Sequence, residues 1–431
     1  MSTQLIKDAI IMCASGGEKG DLLIREGLIK ATCNGETVDQ TIEAEGKLIF
    51  PGLIDCHVHF REPGFPEKGD MQTESEAAVN GGVTTVCDMP NTVPPTVTAS
   101  AFAEKVELAS RISNCDIRFF FGVTQSDHLK ELETLWENNE LKKRCCGVKV
   151  FFDHSTGDQK AEMEVIEKTF ELCAQLGIPV VAHCEDAELN TQAQAENIIK
   201  EIEAHSAVRP VESEAKVIEE AIGFVHTYGT HLHIAHLSTA EGVELVREAK
   251  ADNLPVTCEV APHHLFLSTD DYEQLGTLAK MNPPLRDKEH CKALWKGIAD
   301  KTVDCISTDH APHTLEEKRQ GPPLEAPSGV PGVGTMLPLL LSVAGHKWPH
   351  PTSDDCSQGL TYADIVRLCF ENPNKIFLLG KDGIKENAKV DLIIIDPEKE
   401  WKIKGSDLHY KCGWTPYEGW KVKGFVETIG A

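Results

Sequence analysis

Apolar and polar positions alternate in two different ways along this chain. Residues 1–50 carry short apolar runs that are interrupted by Gly-Gly and Asn-Gly pairs, the pattern of strands joined by tight turns. From residue 48 onward, apolar runs alternate with helical spacing, which is typical of a parallel sheet buried on both faces. Residues 388–404 return to short β segments, and we expect the two β-rich ends to pair because chain termini often lie close together.

Eight apolar runs are predicted to be buried strands. They cover residues 53–60, 84–90, 117–124, 147–152, 179–185, 232–238, 255–261 and 303–311. Helical stretches lie between the runs, and in residues 160–176 one apolar face is formed by Met163, Ile166, Phe170 and Cys173. Eight strands followed by helices predict an α/β fold, a (β/α)8 TIM-like barrel with a small β-sandwich domain formed from both chain ends. An open doubly wound sheet is the alternative, but no glycine-rich phosphate loop follows any strand.

The predicted domain division is residues 1–50 and 385–431 for the small β-rich domain and residues 51–384 for the barrel. Residues 314–334 are rich in Gly and Pro and follow the eighth run directly, so we expect a long loop over the barrel mouth. A helix is predicted over residues 361–379.

Composition excludes some classes of binding partner and indicates the cellular compartment. A net charge of −26 argues against nucleic acid and anionic membranes as partners, since both repel such a surface. The 15 cysteines include no CxxC pair and many lie in apolar runs, as expected for small buried side chains in a reducing cytosol. No secretory leader and no 18-residue apolar segment are present, so a cytoplasmic protein is predicted.

Two histidines near the end of the first run suggest a metal site. His57 and His59 are two residues apart, so on a strand both side chains project to one face and can hold one ion. Taken alone, a core histidine beside an incidental one explains the pair equally well. Four further side chains lie late in other runs, however: Lys149, His183, His236 and Asp309. Active sites of barrels lie at the carboxyl ends of the strands, so this joint placement favours a metal centre.

Lys149 lies inside an otherwise apolar run and has several interpretations. It could pair with a buried acid, or act as a Schiff-base nucleophile. Near two divalent ions its amine pKa would fall, and a neutral amine can add carbon dioxide to give a metal-bridging carbamate. Asp153, four residues on, is the rival bridging acid.

Several motifs together resemble the dihydroorotases of class I type, within the amidohydrolase superfamily. They are LIDCHVHFREPG (53–64), MPNT (89–92), VTCEVAPHHLFLS (256–268) and STDHAPHTLEEK (307–318). The resemblance covers essentially the whole chain. The chain is also similar to the dihydroorotase domain of the animal multifunctional pyrimidine-synthesis protein. HxH alone marks only the wider superfamily.

The resemblance implies two Zn²⁺ ions per subunit, bridged by N6-carboxylated Lys149 and a hydroxide. The first ion would be bound by His57, His59, Lys149 and Asp309, and the second by Lys149, His183 and His236. The implied reaction is the reversible cyclisation of N-carbamoyl-L-aspartate to L-dihydroorotate and water, in pyrimidine biosynthesis, with Asp309 carrying the proton.

The resemblance also implies a set of substrate-binding residues. Arg61, Asn91 and His313 would hold the substrate carboxylate, and Asn282 follows the bacterial pattern where the animal domain has an arginine. Arg offers a planar fork that matches a carboxylate. Simpler explanations are an Arg61 ion pair with Glu62 or Glu67, and turn or loop roles for Asn91, His310 and His313.

The chain departs from the family at three places. Some members bind a third zinc through a cysteine that precedes the strand-six histidine and a glutamate on strand seven. Here Glu259 is present but Ala235 replaces the cysteine, which argues against a third ion. The segment after Lys149, FFDHSTGDQ, fits neither subgroup, although Ser155 or Thr156 would be the residues to close over the substrate. Residues 424–431 end short of the family's usual closing strands.

Two other functions are compatible with the motifs. Dihydropyrimidinases and allantoinases share the metal set but not a substrate α-carboxylate. A non-catalytic homologue could serve as a scaffold for aspartate transcarbamoylase, although such proteins typically lose ligands and none of the six is missing here. The family suggests a homodimer.

Overall fold

The computed structural model describes residues 3–31, 38–154 and 159–430. Its strands form two sheets. The strands of the first sheet come from both ends of the chain: β1 (Thr3–Cys13), β2 (Gly16–Arg25), β3 (Leu28–Lys30), β4 (Gln40–Glu43), β5 (Leu48–Pro51), β14 (Leu392–Lys402) and β15 (Lys421–Gly430). The second sheet contains β6 (Leu53–Val58), β7 (Val83–Asp88), β8 (Asp116–Gly122), β9 (Cys145–Phe151), β10 (Val180–His183), β11 (Leu232–Ile234), β12 (Val256–Val260) and β13 (Cys305–Ile306).

The second sheet is the predicted barrel. Its eight strands run in chain order and all neighbours are parallel. The two edges meet where Val58 forms a parallel bridge with His310 and the His59 amide donates to the His310 carbonyl oxygen over 2.7 Å. The predicted (β/α)8 architecture is therefore confirmed, and each of the eight predicted runs overlaps one strand.

The helices surround the barrel and cover its mouth. Their bounds are α1 (Met71–Asn80), α2 (Ala99–Ala109), α3 (Asp127–Glu137), α4 (Asn139–Lys142), α5 (Met163–Leu176), α6 (Ala187–Glu196), α7 (Val211–Tyr228), α8 (Ala240–Ala251), α9 (Pro262–Phe266), α10 (Tyr272–Leu275), α11 (Lys288–Ala299), α12 (Leu315–Arg319), α13 (Met336–Ala344), α14 (Tyr362–Val366) and α15 (Asn372–Ile376). Among the described residues, no helix combines the length and apolar character needed to cross a bilayer.

The chain ends pair as expected. Strand β14 pairs antiparallel with β5, with Leu392 opposite Pro51, and β15 pairs with β14. The sheet buries its own apolar cluster, which includes Ile6, Ile49 and Ile394. This sheet thus joins five strands from the start of the chain to two strands from its end. Local sequence pattern predicts the strands, but their pairing was expected only because chain termini often lie close together.

Three expectations about single elements were wrong in detail. The eighth strand ends at Ile306 instead of residue 311, because the Asp55 carboxylate accepts the Thr308 amide over 3.0 Å and diverts the backbone from the ladder. Met163 begins α5 and is 44% exposed, whereas the rest of its predicted face is buried. The helix predicted over 361–379 is interrupted by a π-helical turn at Arg367–Glu371, just before Pro373, whose ring nitrogen cannot donate to the ladder.

Other expectations were confirmed. The long loop after β13 covers the barrel mouth, although it contains the short helix α12. Every cysteine that the structure describes is unpaired, and most are buried.

Candidate metal centre

The predicted site residues meet at the carboxyl end of the barrel. A narrow cavity lies there, lined by His57, His59, Arg61, Asn91, Lys149, Phe151, His183, His236, Asn282, Asp309, Ala311, Ser328 and Gly329. All six predicted metal ligands line it, as do three of the four predicted substrate-binding residues. The fourth, His313, lies directly behind Arg61.

One group of donors comes from both edges of the barrel. Asp309 Oδ1 lies 3.3 Å from His57 Nε2 and 3.0 Å from His59 Nε2. The ligand atoms of these three side chains all lie within 4.8 Å of one another, and all three side chains are buried. Two imidazoles and a carboxylate in this arrangement can hold one divalent ion.

A second group lies on β9, β10 and beyond β11. His183 Nδ1 and His236 Nε2 are 3.0 Å apart, at the distance expected of two donors that share an ion or a proton. The Lys149 side chain is 1% exposed, and among the described residues its Nζ has no hydrogen-bond partner. Burial lowers the pKa of this amine to about 8. A buried amine without a partner is costly unless something binds it.

Three of the four histidines are oriented by a second contact. His57 Nδ1 pairs with Glu259, His59 Nδ1 donates to Asn91 Oδ1 over 2.6 Å, and His183 Nε2 donates to Glu185 Oε2 over 2.8 Å. In each case the other ring nitrogen faces the cavity. At metal sites, a histidine usually binds the metal through one ring nitrogen while an oxygen atom accepts a hydrogen bond from the other.

Burial also favours the neutral form of three of the imidazoles. It lowers the pKa of His59 to about 4, lowers the pKa of His183, and lowers the pKa of His236 well below its usual range. Metals bind the neutral form of imidazole, so these three side chains are in the protonation state that a metal requires. The residues present therefore fit a divalent metal ion.

The backbone is strained at three of these positions. Arg61, His236 and Asp309 have φ values of 66°, 34° and 46°, in the left-handed region that residues other than glycine rarely adopt. Each such residue costs about 1–3 kcal/mol, and such strain concentrates at functional sites. Here it turns one side chain from each of three segments into the same cavity.

Arg61 lies at the other end of the cavity. It is 4% exposed, its Nε donates to the Pro312 carbonyl oxygen over 3.0 Å, and its Nη2 lies 3.1 Å from His313 Nε2. Burial lowers the pKa of its guanidinium to about 10, so the group stays charged at neutral pH. The alternative of a surface ion pair with Glu62 or Glu67 was wrong, since Arg61 is buried and Glu62 accepts the Met71 amide instead.

Two amide side chains complete that end. The Asn91 oxygen is used by His59, which leaves its amide nitrogen for the cavity. Asn282 Oδ1 accepts from Ser328 Oγ over 3.2 Å. A fixed guanidinium with neighbouring amides is a chemically suitable set for a carboxylate.

Other candidates lie elsewhere. Asp153, the rival bridging acid, does not line this cavity, because its Oδ2 accepts from Asn190 and Arg209 over 2.7 and 3.0 Å. His310 is a buried structural residue whose Nε2 lies 2.8 Å from Glu74. Ser155 and Thr156 lie outside the described residues.

Glu259 is the centre of a separate buried group. Besides His57, it contacts His233 Nε2 over 3.2 Å and accepts from Cys56 Sγ over 3.3 Å. Cys56, His233 and Glu259 offer ligand atoms within 4.8 Å of one another. Residue 235 is a buried alanine. This is the position at which the resemblance led us to look for a cysteine that could bind a third zinc.

Sequence reasoning missed the residues that orient the ligands. Glu185 supports His183, and Arg209 in turn donates to Glu185 over 2.8 and 2.6 Å. Burial raises the pKa of Glu185, but the neighbouring Arg209 outweighs it and holds that pKa well below its usual range. The alternation of His183 and Glu185 on one strand face was a signal that could have indicated Glu185, whereas Arg209 comes from a distant segment.

Comparison with known proteins agrees with this geometry. Residues 48–427 match the model of the amidohydrolase family. The chain belongs to the amidohydrolase family. Amidohydrolases are generally metal-dependent enzymes that act on small molecules, which agrees with the donor groups in this barrel.

Curated relatives within the amidohydrolases share one name. A Methanosarcina mazei protein is 38% identical over 96% of this chain and 90% of its own length, and a Halobacterium salinarum protein is 38% identical over 93% and 91%. A Brevibacillus brevis protein is 36% identical over 94% and 92%. Each is named dihydroorotase.

Solved amidohydrolase structures with the same fold have other names. An L-hydantoinase (dihydropyrimidinase) from Arthrobacter aurescens has a TM-score of 0.90 at 26% identity, covering 100% of this chain and 96% of its own. A dihydropyrimidinase from Brevibacillus agri has a TM-score of 0.88 at 26% identity, covering 100% and 94%. These names differ from that of the curated relatives, so the substrate must be inferred from the cavity.

Proposed function

We propose that the protein is a dihydroorotase, which interconverts N-carbamoyl-L-aspartate with L-dihydroorotate and water. The relatives at 36–38% identity carry that name, against 26% for the hydantoinases. The observation that carries the proposal is the buried Arg61 guanidinium in the same cavity as the metal donors. A buried cation needs an anionic partner, and the substrate carboxylate supplies one.

Two zinc ions fit the donor groups. His57, His59 and Asp309 would hold the first and His183 and His236 the second, with Lys149 between them as its N6-carboxylated form. When bound, such ions polarise an amide carbonyl and lower the pKa of a bound water. The carboxylated form of Lys149 is supported by its buried, unpartnered Nζ, because the added carboxylate would supply bridging oxygens.

Asp309 is the proposed proton carrier. Its Oδ1 lies 3.3 Å from His57 Nε2 and 3.0 Å from His59 Nε2, so a water held at these donors would be within its hydrogen-bond reach. In hydrolysis it accepts the proton of the attacking water and gives it to the leaving ring nitrogen. In cyclisation the same carboxylate accepts the ureido proton and returns it to the carboxylate oxygen that leaves when the ring closes.

Arg61, Asn91, Asn282 and His313 are the proposed carboxylate-binding set. Arg61 is held in place by Pro312 and His313, so its outward face is oriented before the substrate arrives. Preorganised charged donors lose little entropy on binding. Such a set would prefer dihydroorotate over the neutral rings of dihydropyrimidinase and allantoinase substrates.

The test combines zinc content with turnover of dihydroorotate, dihydrouracil and hydantoin by the purified protein. We expect two zinc ions per chain and turnover of dihydroorotate far above the two neutral rings. In Arg61→Ala, dihydroorotate turnover should collapse while zinc content stays constant. Unchanged dihydroorotate turnover in that variant, or faster turnover of a neutral ring by the wild type, would refute the assignment.

The same measurement addresses the scaffold alternative. A protein without zinc and without turnover would favour a scaffold for aspartate transcarbamoylase, but all six proposed ligands are present and converge. We further propose a cytoplasmic homodimer that associates with aspartate transcarbamoylase. Light scattering of the protein alone and mixed with that enzyme tests both.

A further inference from the structure

The last residue of the STDHAPHTLEEK motif has no part in the proposed chemistry, yet it is fully buried. Lys318 ends this motif on α12 and is 0% exposed. Lysine is almost never fully buried unless its ammonium is paired. Its environment therefore needs an explanation.

Three backbone carbonyls surround the Lys318 ammonium. Its Nζ donates to the carbonyl oxygens of Lys280 and Pro327 over 2.9 Å each and of Gly329 over 3.0 Å. Three acceptors require three N–H groups, which only the protonated amine offers. Although burial lowers the pKa of Lys318, the geometry is that of a charged ammonium with every donor used.

Those carbonyls belong to the loops that form one wall of the cavity. Lys280 lies two residues before Asn282, and Pro327 and Gly329 flank Ser328. Asn282, Ser328 and Gly329 all line the cavity. One cation thus binds both chain segments, which are also joined by the Gly329 amide donating to the Lys280 carbonyl oxygen over 2.9 Å.

Neighbouring contacts extend the same arrangement. The Lys280 ammonium donates to the Ala326 carbonyl oxygen over 2.6 Å and to Ser328 Oγ over 3.1 Å. The Trp414 ring lies 5.8 Å from Lys318 Nζ, and Trp414 Nε1 donates to the His313 carbonyl oxygen over 2.7 Å. Trp414 therefore links the segment that carries His313 to the Lys318 side chain.

We propose that Lys318 is a positioning residue that holds the carboxylate-binding wall of the cavity, and that it acts on binding of the anionic substrate without acting on the metal ions. The substrate part of this inference rests on the proposed function. That Lys318 holds this wall concerns the fold alone, and it can be tested without any substrate.

The test compares Lys318→Met with Arg319→Met in the full chain. Methionine keeps most of the length of lysine but removes the charge and the three donors. Arg319 is the next residue of the same helix and is exposed, so its variant removes an equal charge without touching the wall. Hydrogen–deuterium exchange, zinc content and steady-state kinetics with dihydroorotate are measured for both.

For Lys318→Met we expect faster amide exchange at residues 328–330, unchanged zinc content, and a KM for dihydroorotate raised about tenfold with kcat changed less than about threefold. Arg319→Met should match the wild type in all three. Lys280→Met, which removes the second tie, should shift exchange and KM in the same direction by less, and serves if Lys318→Met does not fold.

Unchanged exchange at residues 328–330 in both Lys variants would overturn the inference, whatever the activity. A loss of zinc equal to the loss of activity would also overturn it, since that outcome means a general structural role. If the wild type does not turn over dihydroorotate, the proposed function fails, while the exchange result still decides whether Lys318 holds the wall.

Discussion

The two ends of the cavity are built in different ways. At the metal end, the six proposed ligands lie in or within three residues of β6, β9, β10, β11 and β13. At the carboxylate end, Arg61, Asn91, Asn282 and His313 all lie in loops. The first set therefore lies in, or directly after, strands held by the hydrogen-bond ladder of the barrel, whereas the second set lies outside that ladder.

The difference shows how loop residues are made rigid enough to bind a substrate. Side chains that donate to backbone carbonyls replace the missing ladder: Arg61 donates to Pro312, Trp414 to His313, and Lys318 to three carbonyls in two segments. Sites on strands are intrinsically more precise than sites on loops, so the loops need such support. Variants at each end should consequently fail in separable ways.

The largest effect is expected from Lys149→Ala at the metal end. Removal of the group proposed to bridge both ions should abolish metal binding and lower kcat by on the order of 10³-fold or more. Inductively coupled plasma mass spectrometry and hydrolysis of dihydroorotate check this. Full zinc content with normal turnover would exclude Lys149 as a bridge.

A smaller effect is expected from Arg61→Met at the carboxylate end. Loss of a charged hydrogen bond to the substrate should cost about 3 kcal/mol, or about 10²-fold in kcat/KM, while both ions stay bound. Affinity for a neutral ring such as dihydrouracil should not fall. A parallel loss of affinity for both ligands would mean that the two ends are not separable.

Glu185→Gln should weaken one metal position selectively. The variant keeps the shape of the side chain but removes the charge that pairs with Arg209 and supports His183. Affinity for the second ion should fall about 10- to 100-fold, whereas the first is unaffected. Competition titration with a chelator measures both affinities, and Glu188→Gln, an exposed change on α6, is the control. Equal weakening of both ions would contradict the assignment.

The smallest effect is expected from Gly329→Ala. Gly329 has φ +136°, and an added Cβ would lie 2.6 Å from the Ala311 carbonyl oxygen. The wall should shift, raising KM a few-fold and lowering stability by about 1–3 kcal/mol. Gly321→Ala is the matched control, because its Cβ meets nothing within 4 Å in the same loop. Thermal unfolding and kinetics check it; equal effects of the two variants would mean that close contact at Gly329 is not the cause.

Much of the fold could be predicted from local pattern. Apolar runs at barrel spacing identified all eight strands because each is buried on both faces and therefore almost continuously apolar. The same regularity led to the six proposed ligands, since a barrel must gather its strand ends at one rim. Two helix details were not predicted, the exposure of Met163 and the π turn before Pro373. Apolar spacing shows neither that Met163 is the first residue of its helix nor that the hydrogen bonding changes before a proline.

What only the tertiary structure decided is how the ligands and loops are supported. Glu185 and Glu259 orient histidines, but Arg209, His233 and Cys56 reach them from other strands and loops, so no sequence spacing indicates those contacts. Likewise, the motif that contains Lys318 gives no sign that its ammonium binds the carbonyls of residues 280, 327 and 329. Periodicity determines which residues face a core or a rim. Hydrogen bonds between distant segments depend on closure of the barrel, and only the folded chain brings those atoms within reach.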